Sequence, residues 1–171
     1  MQIKKDTPLK EILNTGEVCQ RRNHCCRFGS GFLVGDDLIN ISRFLVIKED
    51  ELIKRYLEEK ELFNKRLLRP RLKPKKEHLP YGECIFFSGD GCRIHKVKPL
   101  QCRVGNCNEH GEKLSIWFML NYLVDKEDPE SIRQYASYLK AGGKTIEGGK
   151  LEELVPDKEK LKRILNFEEL K

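Results

Sequence analysis

The stretch Cys84-Ile-Phe-Phe-Ser-Gly-Asp-Gly-Cys92-Arg-Ile-His-Lys-Val-Lys-Pro-Leu-Gln-Cys102-Arg103 decides how this chain is organised. Its first half reads as a small β-hairpin. The apolar run Ile85-Phe86-Phe87 precedes Ser88-Gly89-Asp90-Gly91, whose glycines supply the positive φ of a tight turn. Cys84 and Cys92 stand near opposite ends of that hairpin, which brings them face to face. Cys102 follows Pro99, and Cys102 and Cys107 bracket Gly105, a pattern that suits a turn wrapped around one site. Working outward, the other thiols are Cys19, Cys25 and Cys26, and no cysteine lies between Cys26 and Cys84. The span Cys19 to Gly31 lacks periodicity and reads as a loop.

Thiols gathered in two clumps of a chain without a visible secretory signal point to a metal. The segment Met1-Gln-Ile-Lys-Lys-Asp-Thr-Pro8 has no apolar h-region, and no run approaches the roughly 18 apolar residues of a membrane span. A cytoplasmic location and no membrane partner are therefore expected. Seven cysteines, an odd number, fit a closed disulfide framework poorly. The competing roles are disulfides, which occur inside cells of hyperthermophiles with similar Lys- and Glu-rich compositions, and inert buried thiols.

Soft thiolates bind zinc, iron and iron–sulfur clusters, and both tetrahedral zinc and a [4Fe–4S] cluster take about four of them. Seven thiols, with His24, His95 and His110 nearby, exceed one mononuclear site. They can serve one cluster with thiols to spare, or a multinuclear site with bridging sulfurs. No C-x₂-C knuckle of the zinc-ribbon kind is present, nor the C-x₂-C-x₂-C run of bacterial ferredoxins. Cys25 and Cys26 are adjacent, so both face one site only if the backbone bends, which Gly29 and Gly31 permit.

The chain has 171 residues, enough for one domain with a modest core. Charged residues make up 35% of it, yet the apolar 39% falls in periodic runs, which argues against disorder. The net charge of +6 is concentrated. Lys65 to Lys76 contains seven Lys or Arg and no acid. That run either tracks nucleic-acid phosphates or, more plainly, forms a solvated surface segment, since no aromatics interleave to stack bases. A second basic group (Arg21, Arg22, Arg27, Arg93, Lys96, Lys98 and Arg103) surrounds the cysteines, where positive charge favours thiolates.

Helical signals occupy most of the rest. Thr7-Pro8 followed by Leu9, Ile12 and Leu13 predicts a short helix stopped at Gly16. Asp36-Asp37 opens a helix through Leu38, Ile41 and Leu45. Leu52, Ile53, Tyr56, Leu57 and Phe63 predict another from Glu49. The three prolines between Arg69 and Pro80 make that segment extended and exposed. Leu114 to Val124, apolar nearly all round, is the candidate central buried helix, with Trp117 and Phe118 in the core. Asp128-Pro129 caps a helix through Ile132, Tyr135, Ala136 and Leu139, ended by Gly142-Gly143. Asp157 to Leu170 predicts a last amphipathic helix. The fold class expected is mainly α with a small β-hairpin, a single compact domain (1–171) built around a cysteine-ligated metal site. Within it, 19–107 is the cysteine-cluster core and 108–171 a helical part packed on it.

The segment from Cys92 to Arg103 resembles a family pattern C-x-I-Y-x-x-R-P-x-x-C-R. Cys84-Ile-Phe-Phe resembles that family's C-x-F-L strand, and Cys19 to Arg27 its C-x-x-C-x-x-C-C start. The family is the zinc- or iron-chelating CxxCxxCC domain, also called YkgJ-like cysteine-cluster proteins. The resemblance covers about residues 19 to 107 and implies metal ligation by Cys19, Cys25, Cys26, Cys84, Cys92 and Cys102. The chain departs from the pattern in places. Arg22 stands where the second Cys belongs, His95 replaces Tyr, Lys98 replaces Arg, and Gly105-Asn106-Cys107 follows the C-R pair. Cys107 is the thiol that restores the ligand count.

The expected function is therefore a cysteine-cluster metal-binding protein carrying iron or an iron–sulfur cluster ahead of zinc, with redox activity open to it. One alternative is a protein-modifying enzyme, because one branch of the family is associated with flagellin lysine N-methylation. No S-adenosylmethionine loop and no radical-type C-x₃-C-x₂-C accompany the cysteines. The other alternative is a zinc-stabilised module that binds nucleic acid or protein. Asp36 and Asp37 are either partners of the site or plain helix caps.

Overall fold

A computed structural model describes residues 2–16, 22–74, 79–105 and 109–170. Cys19, Cys107, Lys75 and Lys76 fall outside these residues. The protein is mainly helical with small antiparallel strand pairs.

The chain opens with α1 (Leu9–Gly16), α2 (His24–Phe28), α3 (Asp37–Leu45) and α4 (Glu49–Tyr56). Strands follow: β1 (Leu57–Leu62) pairs with β2 (Lys65–Pro70), and β3 (Leu72–Pro74) pairs with β4 (Gly82–Cys84). The strand β5 (Phe87–Ser88) pairs with β6 (Gly91–Cys92). A 3₁₀ turn at His95–Val97 leads into α5 (Leu100–Val104). The chain continues with α6 (Gly111–Phe118), extended by a π-helical turn over Met119–Leu123, then α7 (Pro129–Lys140), α8 (Leu151–Leu154) and α9 (Lys158–Leu165).

Most predicted helices are present at the predicted places. Asp128 accepts from Glu130 N–H and Asp157 from Lys160 N–H, so both cap the helices they precede. Leu114, Ile116, Trp117 and Phe118 on α6 are all buried, and the Trp117 indole N–H donates to Thr7 O at 3.0 Å. That bond satisfies the one polar atom of a buried indole.

Four expectations need correction. Residues 24–28 are helical rather than loop, so Cys25 and Cys26 ride on α2. The helix from Glu49 ends at Tyr56. The chain then turns into β1, folds back at Phe63 and Asn64 (φ 50° and 60°) and pairs with β2. Cys84 lies outside the hairpin of Cys92, because its strand pairs with Leu72–Pro74 instead. Where it is described, the proline-rich segment is extended but only partly exposed: Pro70 is buried, and Arg69, Leu72 and Leu79 are half-buried.

Much of the basic run is occupied within the fold. Arg69 pairs with Glu58 at 2.7 Å and Arg66 lies 3.7 Å from Glu59 and Glu61. Arg71 donates to Leu57 O and Lys54 O, closing the end of α4, and Lys65 donates to Tyr122 O.

Two apolar clusters meet along residues 30–34. One gathers α1, α5, α6, α7 and α9 through Ile12, Val104, Leu114, Tyr135 and Ile164. The other gathers α3, α4 and the short strands through Leu33, Ile41, Leu52, Phe86 and Ile94. Phe32 belongs to the first and Leu33 to the second, as alternation along an extended segment requires. Among the described residues no helix is long and apolar enough to cross a membrane.

Candidate functional site

Five cysteines from distant parts of the sequence reach one cavity of about 450 Å³. Cys25 and Cys26 come from α2, Cys84 from the end of β4, Cys92 from the end of β6 and Cys102 from the middle of α5. Arg22, Phe28, Asp90, His95 and Lys98 also line it.

Each carrier is fixed by local structure. The α5 segment is held by Asp37, which is 3% exposed. Its Oδ2 accepts from Leu100 N–H and from Val34 N–H, both at 2.9 Å, and its Oδ1 faces Arg103 Nη2 at 3.3 Å. Asp37 thus ties the start of α3 to the start of the helix that carries Cys102. The Asp36 side chain makes no cap bond. On α5 itself, Gln101 Oε1 accepts from Phe32 N–H at 2.6 Å, fixing the extended segment beside the cavity. Gly31 is there because nothing larger fits: a β-carbon on it would stand 2.5 Å from Cys102 Sγ and 3.2 Å from Cys102 N.

The backbone also addresses the sulfurs. The backbone amides of Phe86 and Phe87 favour the Cys84 thiolate, and that of Gly31 favours the Cys102 thiolate. Interactions of this kind stabilise thiolates and, in metal–sulfur centres, tune the metal. Cys84 is nonetheless pushed up to about 11, because burial outweighs the amides. Burial, then the neighbouring Cys84, Cys25 and Cys92, push Cys102 up to about 12. Cys25 and Cys26 are adjacent on α2 and act on each other's protons. The neighbouring Cys26 thiol and adjacent amides lower Cys25 to about 6, with Lys98 adding a little, while Cys25 and burial push Cys26 up.

Among the described residues, no three His, Cys, Asp or Glu side chains stand close enough together to hold one metal ion. Five thiols line one cavity, and among the described residues they form no closed ligand set of the kind the expected metal centre requires. His95 lines the cavity, whereas His24 packs its ring on Phe28 with centroids 4.9 Å apart. His110 precedes α6 beside Glu109. The importance of Gly31 and Gln101 carries no sequence signal beyond a glycine and a polar residue near cysteines.

A family model covers residues 18–121, more than half of the chain, and its description reads "Putative zinc- or iron-chelating domain". The chain belongs to the CxxCxxCC family. The matched span takes in all five cavity cysteines and α6. Comparison with curated proteins gives no match, and comparison with solved structures gives none either.

The cavity fits what the CxxCxxCC description names. Its donors are sulfurs, which suit zinc, iron and iron–sulfur clusters. Gly31 keeps open the space against Cys102. Arg22, which stands in place of the pattern's second Cys, lies on the cavity wall.

The thiols predict how metal-free protein responds to pH. Folding raises Cys102 and Cys84 above their ordinary value of 9.0, so the folded state holds these protons more tightly than the unfolded state. Their contribution is complete below pH 9.0 and is lost as pH rises towards 11 and 12. Cys25 acts the other way, its contribution falling as pH drops through about 6. Thermal unfolding of reduced, chelator-treated protein should show a midpoint that falls steadily above pH 9.0. Cys102→Ala should flatten that fall.

Proposed function

We propose that this CxxCxxCC protein holds iron or an iron–sulfur cluster, ahead of zinc, on Cys25, Cys26, Cys84, Cys92 and Cys102. Cys19 and Cys107 complete the donor set. The observation that carries this reading is the convergence of the five thiols on one cavity. A cytoplasmic setting follows from the thiol chemistry, because free clustered thiols survive where the surroundings are reducing. Residues 19–107 form the working core, and 108–171 support it by packing α6, α7 and α9 behind α5.

Iron is placed ahead of zinc on the donor count. Five or more sulfurs exceed the four that tetrahedral zinc takes, and a cavity of about 450 Å³ is larger than one ion needs. Bound iron would supply one-electron redox chemistry. The protein's own part is to surround it with thiolates, favour two of them with backbone amides and screen the centre with apolar side chains such as Ile94.

The nucleic-acid reading loses ground, since Arg66, Arg69, Arg71 and Lys65 already have acidic or carbonyl partners in the fold. A protein partner stays compatible with the exposed surface. The methylase reading rests on family association alone.

Elemental analysis and visible absorption of anaerobically purified protein test the proposal. Brown protein with thiolate-to-iron charge-transfer bands is the expected result. Colourless protein with stoichiometric zinc would replace iron by zinc. Protein with neither metal would remove the proposal.

A further inference from the structure

Much of the lining of the cavity carries no sulfur, and it divides by exposure. Pro70, Ile94 and Pro99 are buried and belong to the floor, while Arg22, Phe28 and Asp90 are exposed and belong to the mouth. Phe28 is 45% exposed, and its ring lies against those of His24 and Tyr81, with centroids 4.9 Å and 6.2 Å away. Tyr81 is itself 43% exposed. The fold therefore leaves a group of aromatic rings facing water at the mouth, as ligand grooves do. The same mouth is cationic. Arg22 and half-buried Lys98 line it, and neither has a carboxylate partner among the described ion pairs. The arginines next to the lining residues Pro70 and Cys102 are already paired, Arg69 with Glu58 and Arg103 with Asp37. Asp90 is the one carboxylate among the described lining residues. A volume of about 450 Å³ falls within the range of small-molecule pockets, roughly 300–1,000 Å³.

We propose that this cavity binds a small aryl anion, a flat aromatic body carrying one carboxylate, sulfonate or phosphate group. The body enters over the apolar floor of Pro70, Ile94 and Pro99 and meets the Phe28 ring at the mouth. The anionic group stays at the mouth, where Arg22 and Lys98 supply its counter-charge. A neutral molecule of the same shape would leave both cations unmatched. A polyanion such as nucleic acid would gain nothing from the apolar floor, and its backbone does not enter a volume of this size. The binding is non-covalent. It goes beyond the metal-binding reading and does not rest on it, because it uses lining groups that carry no sulfur.

The test uses the full chain, purified anaerobically, with its metal content measured on the same sample. Two fluorescent probes built on one ring system are titrated: anilinonaphthalenesulfonate, which is anionic, and phenylnaphthylamine, which lacks the charge. The expected result is saturable binding of the sulfonate at a single site per chain. Arg22→Gln/Lys98→Gln should weaken the sulfonate about fivefold or more, the worth of two partly exposed charge contacts, and leave the uncharged probe within about twofold. Lys140→Gln/Lys162→Gln removes two exposed cations of α7 and α9 that lie outside the cavity, and should leave both probes unchanged. Phe28→Ala, at an exposed position, should weaken both probes. A parent that binds neither probe, or takes up the sulfonate without saturation, would overturn the proposal. Equal losses in the two double variants would overturn it too, since net charge alone would then attract the probe. So would equal loss of both probes from Arg22→Gln/Lys98→Gln, or parent-like binding by Phe28→Ala. A metal-free parent that binds the sulfonate removes the metal-binding reading and leaves this one; a metal-bearing parent that does not bind it does the reverse.

Discussion

Asp37→Ala is expected to destabilise the protein by about 2–4 kcal/mol, the cost of leaving two backbone amides without their acceptor. The carboxylate is buried and has three partners: Leu100 N–H, Val34 N–H and the Arg103 guanidinium. Alanine leaves the Leu100 amide buried without an acceptor and the Val34 amide partly so, at about 1–3 kcal/mol for each unsatisfied group. Arg103 contributes less, because its side chain is 42% exposed and water replaces the lost charge. The damage would spread to the thiols, because Leu100 begins the helix that carries Cys102. Asp37→Asn, which keeps one oxygen acceptor, should fall well short of that loss. Urea unfolding of the three proteins measures the difference, and an Asp37→Ala loss below about 1 kcal/mol, the worth of one ordinary hydrogen bond, would mean that the backbone amides find other acceptors.

Gly31→Ala is expected to cut metal affinity about 10- to 100-fold, as the loss of supporting contacts does in metal sites. Stability should fall by about 1–3 kcal/mol from overpacking. The added β-carbon meets Cys102 Sγ at 2.5 Å and, more seriously, Cys102 N and Gln101 Cβ at 3.2 Å. A sulfur can rotate away, but a helix backbone tied to Asp37 cannot easily follow. Gly29→Ala is the internal control: its nearest contact is Cys25 O at 3.8 Å, and its backbone is fully extended. Competition with a chelator should separate the two variants, and equal affinities would remove Gly31 from the site's support.

Much of the helical scaffold is legible in the sequence. The capping aspartates at 128 and 157 and the all-round apolarity of Leu114 to Val124 are local signals, and local physics decides them. The departures have non-local causes. Glu58-Glu59-Lys60-Glu61 favours helix by intrinsic propensity, yet it is a strand. Pairing with Lys65–Pro70 and the acid–base matches across the ribbon outweigh that propensity. Cys84 and Cys92 flank one turn, which suggests a shared hairpin. The extended Leu72–Pro74 segment competes for Cys84 and wins the register. The helix under Cys25 and Cys26 is five residues long with nothing buried, so no periodicity announces it.

The site itself divides in the same way. That Cys25, Cys26, Cys84, Cys92 and Cys102 meet at one cavity accords with the order of motifs in the sequence. The means by which they are held has no such signal. Asp37 looks like a helix cap and is in fact the link between α3 and α5. The adjacency of Gly31 and Cys102 depends on a contact between residues 71 positions apart, which no spacing encodes.

The metal-to-protein ratio of anaerobically purified protein, compared with that of a Cys84→Ser/Cys102→Ser double variant, tests the thiol cavity most directly. The parent should carry zinc or iron at a fixed ratio of at least one metal per chain. The double variant should carry almost none while keeping a helical circular-dichroism spectrum. A parent without zinc or iron, or a folded double variant with the parent's metal content, would contradict metal binding at this cavity.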